Sequence, residues 1–451
     1  MSKQKIQLSD HFDYSRLLRF VLPCVGTMLF TSIYGIVDGL CVSNFVGKTA
    51  FAAVNLIMPV PMLVGSVGFM LGTGGSAIVG ITLGEGDREK ADRYFSLFVW
   101  TGLVAGLLLA VVGFFAVRPA ASLLGAKGEM LDYAVRYGRL LMACLPFFIL
   151  QNMFQSFFVT AENPHLGFAF TVAAGVTNMV LDVVLVGMLH GGVEGAAIAT
   201  FISQAVGGVL PVFYFLNKRS TSSIHLGRAQ WNGGVICSAC INGSSELMTN
   251  LSMSLVNILY NYQLLRFAGE NGVAAYGVIM YAAFLFVAVF VGYAVGSAPI
   301  VSYHYGARNH AELNNLYSKS LRLIGVIAVV MTALSMLVIP YVARIFVGYD
   351  AELLALTSHA FRVYALNFFL MGFNVYGSSF FTALGDGVTS ALISFLRTLL
   401  FQLLALIFLP MVLGIEGVWL AVTAAEAGAL CVTVLMFITK DKVFHYRKVS
   451  C

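Results

Sequence analysis

The sequence predicts an all-α polytopic membrane protein of twelve transmembrane helices in two pseudo-symmetric six-helix bundles. Three observations carry that expectation. Of the 451 residues, 59% are apolar and only 10% charged, where soluble domains carry roughly 25% charged residues; this excludes an ordinary soluble enzyme. Charge-poor stretches recur at lengths that suit a bilayer core about 30 Å thick, which takes roughly 20 apolar residues per helix. The chain also repeats itself, since residues 222 positions apart match in clusters.

The spans follow in order. Span 1 is expected at 17–42 and carries Pro23 and Asp38; span 2 at 50–83 carries Pro59, Pro61 and Gly72-x-Gly74; span 3 at 95–117 carries Gly102-x-x-x-Gly106. Span 4, at 130–160, holds Pro146, and span 5, at 166–189, holds Asn178 and Asp182. A short turn at Gly192 to Gly195 leads into span 6 at 195–217, with Thr200. The second half supplies 235–265 with Glu246 and Asn250, 273–305 with Pro299, 320–343, 353–382, 389–412 with Arg397, and 415–439 with Glu426. Gly, Pro, Asn or charge clusters bound each stretch. Prolines inside spans remove backbone hydrogen bonds and predict bends. The glycine pairs read as close helix contacts and not as nucleotide loops, because no strand precedes them and no Walker lysine follows. The chain thus divides into an N-terminal six-helix lobe (1–218), a cytoplasmic linker (219–234) and a C-terminal six-helix lobe (235–451).

Twelve spans put both termini on one side. About two-thirds of the 26 Lys and Arg fall on that side, from Lys3, Lys5, Arg16 and Arg19 to Lys440, Lys442, Arg447 and Lys448. Cytoplasmic loops hold such an excess, so both termini are expected in the cytoplasm, with the chain in the cell inner membrane. The net charge of +5 follows from this bias and does not call for nucleic acid. The polar start, Met1 to Asp13, lacks the apolar stretch of a cleaved signal. Seven cysteines, mostly within spans, give no disulfide framework, and Cys237-x-x-Cys240 has no second pair to complete a metal site. No cofactor and no metal centre are expected.

In the repeat, Ser32 meets Ser254, Ile36 meets Ile258, Gly74 meets Gly296, Gly84 meets Gly306, Thr160-Ala161 meets Thr382-Ala383, and Gly192-x-Glu194-Gly195 meets Gly414-x-Glu416-Gly417, with no gap introduced. Six spans per half give parallel repeats about an axis along the membrane normal, the arrangement in which one bundle rocks against the other around a midplane cavity. Specific chemistry is then sought where the halves differ. A charged side chain at a helix centre costs about 2.5 to 3.5 kcal/mol even on translocon scales and persists facing protein or water. Asp38, Asp182, Glu246, Arg397 and Glu426 lack charged counterparts in the other half. Asn178 and Asp182 lie at i and i+4 on one helix face, and Thr200 can join them because spans 5 and 6 are antiparallel neighbours. An amide oxygen beside a carboxylate can ligand a cation or share a proton; a purely structural hydrogen-bonded cluster is the alternative. Glu246 and Asn250 make a second i, i+4 polar face, for substrate contact or for packing, while Glu426 and Arg397 can pair.

Pro23 with Ile36-Val37-Asp38-Gly39, Gly47 through Pro61, Asn178 to Asp182, and Gly192 to Thr200 together resemble the multidrug and toxic compound extrusion (MATE) family, in its bacterial cation-coupled branch, over nearly the whole chain. The resemblance implies a cation or proton site formed by Asp38, Asp182, Asn178 and Thr200, and a first span that bends at Pro23 when the site is protonated. Ser244 to Ser252 is similar to members with an acid early in span 7. Where some branches carry an acid in span 10, Phe361 to Thr382 has none, which argues against a sodium site of that kind.

The expectation is an antiporter, working as a monomer, that exports small organic cations in exchange for H+ or Na+. The alternative is a flippase for a lipid-linked sugar, for which Arg397 is the one basic residue well inside a span. A membrane-embedded enzyme is disfavoured because the sequence offers no paired His and acid, metal ligands or nucleophile motif.

Overall fold

The computed structural model describes residues 5–46 and 48–447, without the side chains of Leu40, Ser43, Asn44 and Lys48. Lys3, Gly47 and Lys448, which enter the charge pattern and the family resemblance, lie outside the described residues. Among these the chain is helical and strand-free. Span 1 is Tyr14–Phe45, span 2 is Lys48–Ile57 with Pro59–Gly84, and span 3 is Arg88–Leu123. Span 4 joins Gly128–Ala143 to Leu145–Thr160 at 54°. Span 5 is Pro164–Leu181 continued by a π-helical stretch, Asp182–Met188, and span 6 is Gly192–Leu216. A helix-free linker then leads to Gly233–Asn242 and a 63-residue helix, Ser244–Gly306.

At 1.5 Å per residue that helix would run roughly 95 Å, about three bilayer cores. Gly269, at φ 60° and ψ −149°, breaks it, so 244–268 completes span 7 and 270–306 forms span 8. Span 9 is His310–Val347; span 10 is Ala351–Ala365 and Phe368–Ala383, at 45°; span 11 is Gly387–Phe395, a π stretch Leu396–Leu400, and Phe401–Leu413; span 12 is Ile415–Thr439. Twelve spans in two bundles result.

The backbone repeats along with the sequence. Span 4 breaks at Cys144 and span 10 at Leu366; Gly192 and Gly414 both take positive φ, and so do Gly86 and Arg308. Asp87 caps span 3 and Asn309 caps span 9 through their side chains. Each of these pairs keeps the 222-residue spacing. The ungapped register slips by one residue at two helix starts: the N-cap positions Lys127 and Asp350 of spans 4 and 10, and Asn163 and Asp386 of spans 5 and 11, are each 223 apart, and after the second slip the spacing is restored at Gly192. The stretch between Asn163 and Gly192 therefore holds one more residue than the stretch between Asp386 and Gly414.

The predicted bends occur at some prolines only. Pro59 opens a helix after the break at Met58, and Pro146 sits in the first turn after Cys144. Pro23 and Pro299 lie in uninterrupted helix, contrary to the expectation. Both are buried where the halves press together: Gly292 and Gly296 of span 8 lie against Val25 and Val21 of span 1, and this packing holds helix that a missing backbone bond would otherwise loosen.

The halves meet at the span ends nearest the termini. A Cβ on Gly84 would strike the Tyr303 carbonyl, and one on Gly306 would strike the Ile81 carbonyl; these two contacts are each other's counterparts in the repeat. Leu17, Phe20, Val21 and Cys24 of span 1 share one core with Tyr293, Ile300, Val301 and Leu316. Across this seam lies the segment before span 1. Its Lys5 Nζ donates to the Thr221 carbonyl at 2.6 Å and its Leu8 N–H to Glu162 at 2.8 Å, while its Phe12 N–H donates to Glu312 at 2.9 Å and the Phe12 carbonyl accepts from Lys319 at 2.7 Å. At the opposite ends, a Cβ on Gly35, Gly39 or Gly277 would meet nothing within 4 Å beyond its own helix backbone among the described residues.

Candidate functional site

Packing of spans 1, 4, 5 and 6 builds the site in the first half. Span 1 lies on span 5 through glycine, with Gly175 against Phe30 and Tyr34 and Gly26 against Phe168. Span 6 is tied to span 5 by the Ser203 hydroxyl donating to the Ala174 carbonyl at 2.8 Å, and to span 4 by Cys144 Sγ donating to Gln204 Oε1 at 2.8 Å. These ties fix the faces on which the polar residues sit.

Asp182 is 0% exposed and Asn178 is buried. Asp182 stands where span 5 passes from α to π geometry, and its carboxyl faces that of Asp38 on span 1. Neither Asp182 oxygen, nor Asp38 Oδ1, nor the Asn178 amide nitrogen has a hydrogen-bond partner among the described residues. Two facing carboxylates are acceptors only and repel, so a proton or a cation between them stabilises the pair. Thr200 donates its hydroxyl to the Ala196 carbonyl at 3.1 Å within its own helix and meets the phenol of Tyr137 from span 4.

All four residues expected at this site, Asp38, Asn178, Asp182 and Thr200, thus converge between spans 1, 5 and 6. Pro23 lies lower on span 1, in the seam. Tyr137, fully buried, was not expected here, nor were Tyr34 and Cys41, which lie within electrostatic reach of the carboxylates. Tyrosine is common in this chain, with 19 copies, and no spacing marked Tyr137.

Glu246 and Asn250 do not join this group. Asn250 donates to the Glu246 carbonyl at 2.9 Å within its own helix, and Glu246 faces Arg397 of span 11. Arg397 stands 3.9 Å from Glu426 of span 12. Glu426 Oε2 also accepts from Asn374 at 2.7 Å, and Asn374 Oδ1 accepts from the Thr433 hydroxyl at 2.8 Å. The second half therefore holds two acids around one guanidinium, where the first half holds two acids and no base.

Known proteins agree with this architecture. A sequence model of the MatE family matches residues 23–184 and 247–407. The multidrug export protein MepA of Staphylococcus saprophyticus is 22% identical over 434 residues, covering 95% of each chain, and that of Staphylococcus haemolyticus is 23% identical, covering 97% of this chain and 95% of its own. Among solved structures, a MATE transporter in complex with MaL6 superposes with a TM-score of 0.92 at 25% identity, over 98% of this chain and 100% of the other. An outward-facing multidrug resistance MATE transporter of the MOP superfamily shows the same fold, with a TM-score of 0.92 at 24% identity and 99% coverage of both. With the family match spanning both halves and the twelve-span fold shared in full, the chain belongs to the MatE family, the multidrug and toxic compound extrusion transporters, and is a polytopic membrane transporter and not an enzyme.

Proposed function

We propose that this transporter is an antiporter that exports small organic, cationic and amphipathic compounds in exchange for inflowing H+ or Na+, as a single chain in the cell inner membrane with both termini in the cytoplasm. The observation that carries this reading is the Asp38 and Asp182 pair, two facing carboxyl groups, Asp182 buried and Asp38 half-buried, with no basic partner among the described residues. Such a pair needs a mobile positive charge. Asn178 and Thr200 supply neutral oxygens beside it, and Tyr137 is placed to relay a proton or to orient the Thr200 hydroxyl. The MepA relatives are named for multidrug export, which supports the substrate class.

With cytoplasmic termini, the closed seam is the cytoplasmic one and this conformation faces outward. The pair takes up its cation from outside, driven by the ion gradient and by about 2.3 kcal/mol per charge for each 100 mV, and substrate leaves. Substrate binding from inside and cation release then reset the cycle, the two ligands being linked reciprocally through one equilibrium between the conformations. The experiment is efflux of a fluorescent lipophilic cation from proteoliposomes under an imposed pH gradient and then an imposed sodium gradient, with Asp182→Asn as control. Gradient-dependent efflux that the variant lacks is the expected result and names the ion. Equal efflux from the variant, or none from the wild type under either gradient, overturns the reading.

A further inference from the structure

Among the described residues, the Arg397 guanidinium of span 11 is a membrane-region charge whose bonding the fold leaves incomplete. Its side chain is 13% exposed, it sits in the π stretch of span 11, and it donates no hydrogen bond to any described residue, with Nη1 buried and unpartnered. The nearest carboxylate does not fill the need. Glu426 Oε1 is 3.9 Å from Nη1, beyond hydrogen-bond range, and its other oxygen is held by Asn374. Glu246 faces the guanidinium from span 7, in electrostatic reach but without a hydrogen bond. A guanidinium presents five N–H donors in a planar fork that matches an oxyanion. One turn from Glu426 on the same face of span 12, the Thr423 hydroxyl is also buried without a partner. The surrounding elements therefore hold the cation in place electrostatically and leave its donor fork free.

We infer that Arg397 is a specificity-determining residue that binds the oxyanion group, carboxylate or phosphate, of an amphiphilic substrate in the C-terminal half, with Glu246 beside it to meet a positive group on the same molecule. This rests on the transport activity proposed above and extends it to compounds that are not pure cations. Asn374 then has a positioning role: by fixing Glu426 from the far side, it keeps that carboxylate from closing onto the fork.

The test uses two dyes with one ring system, rhodamine 123, a methyl ester with net positive charge, and rhodamine 110, its free acid. Wild-type proteoliposomes are expected to export both, and Arg397→Gln is expected to lose at least tenfold of rhodamine 110 efflux while keeping rhodamine 123 within twofold; Arg397→Lys, which keeps the charge without the fork, falls between. A short-chain fluorescent phosphatidic acid forms the second arm: loss of its transfer in Arg397→Gln with rhodamine 110 efflux intact assigns the site to phosphate, and the reverse assigns it to carboxylate. Export of rhodamine 123 but of neither oxyanion probe by the wild type overturns the inference and leaves the antiporter reading standing, whereas export of no dye sinks the antiporter reading itself. Equal loss of both dyes in Arg397→Gln makes Arg397 structural. Should that variant fail to fold, the melting temperature of the wild-type protein in detergent decides: a rise with rhodamine 110 that exceeds the rise with rhodamine 123 supports the site, and equal rises refute it.

Discussion

The two halves of this transporter use one scaffold to hold charge in opposite ways. Each has a broken fourth span, a π stretch in its fifth, and a tight glycine turn into its sixth. In the first half the π stretch begins at Asp182, and the acid it faces is Asp38, with no base beside the pair among the described residues. In the second half the π stretch lies about two turns nearer the start of its span and carries Arg397, flanked by Glu246 and Glu426. The difference teaches that symmetry supplies the cavity while charge assigns the labour. A pair of acids without a base depends on a cation that comes and goes, and a guanidinium between two acids is already compensated and is free to recognise something else.

The comparison breaks most sharply at Asp182. Asp182→Asn, which keeps shape and removes the charge, should reduce gradient-driven efflux to background while the protein still inserts and purifies; coupling retained in that variant would mean that the acid pair is not the ion site. The seam comes next. Gly84→Val would force a side chain against the Tyr303 carbonyl, so the closed face should open and efflux should fall by about tenfold or more, as a cost of 1.4 kcal/mol or more on the closed state implies. Labelling of a Ser302→Cys reporter by a membrane-impermeant thiol reagent from the terminal side checks this, with unchanged labelling as the contrary result.

Smaller effects sharpen the contrast. Tyr137→Phe removes one hydroxyl beside Thr200, and the usual net worth of a hydrogen bond, about 0.5–1.5 kcal/mol, corresponds to an approximately two- to tenfold slower turnover with substrate affinity unchanged, read by initial rates of efflux. The weakest test compares the caps of spans 5 and 11. Burial pushes the Asp386 carboxyl up, but Lys440 at 2.7 Å and its hydrogen bonds from Thr389 outweigh that and hold it below its ordinary value. A depressed acid stabilises the fold at neutral pH and loses that contribution as pH falls through its folded value. Asp386→Ala should therefore lower stability by about 0.5–2 kcal/mol at pH 7, with the difference from wild type shrinking in strong acid. Asn163→Ala should behave differently, because Asn163 bonds through its amide to the Ala161 carbonyl and the Tyr214 hydroxyl and caps no helical N–H. Thermal unfolding in detergent at several pH values distinguishes them.

Much of the site was legible before the fold because lipid makes charge conspicuous. Asp38 and Asp182 are acids inside apolar runs, where burial is expensive, and Asn178 at i−4 shares the Asp182 face by helical geometry alone. Glu246 and Asn250 show the limit of the same reasoning. Their i, i+4 spacing was correctly read, but the amide turned back to its own helix, and the acid met Arg397, about 150 positions away along the chain. Tyr137 and the segment from Lys5 to Phe12 carried no signal, since a phenol in a span and polar residues before one are ordinary until packing brings them to Thr200 and to Glu162 and Glu312.

What the sequence determined by itself is what short-range physics dictates: helical spans, because a backbone in hydrocarbon must satisfy its own hydrogen bonds; their number and pairing into two halves, because the repeat is written in the residues; and the rarity that marks the acids. The tertiary structure alone decided which charges face one another, that Pro23 stays in unbroken helix, where span 5 widens into a π stretch, and which ends of the bundles close. Those outcomes depend on side-chain packing between helices distant in the chain, and the energy differences among alternative packings arise only once both surfaces are in place.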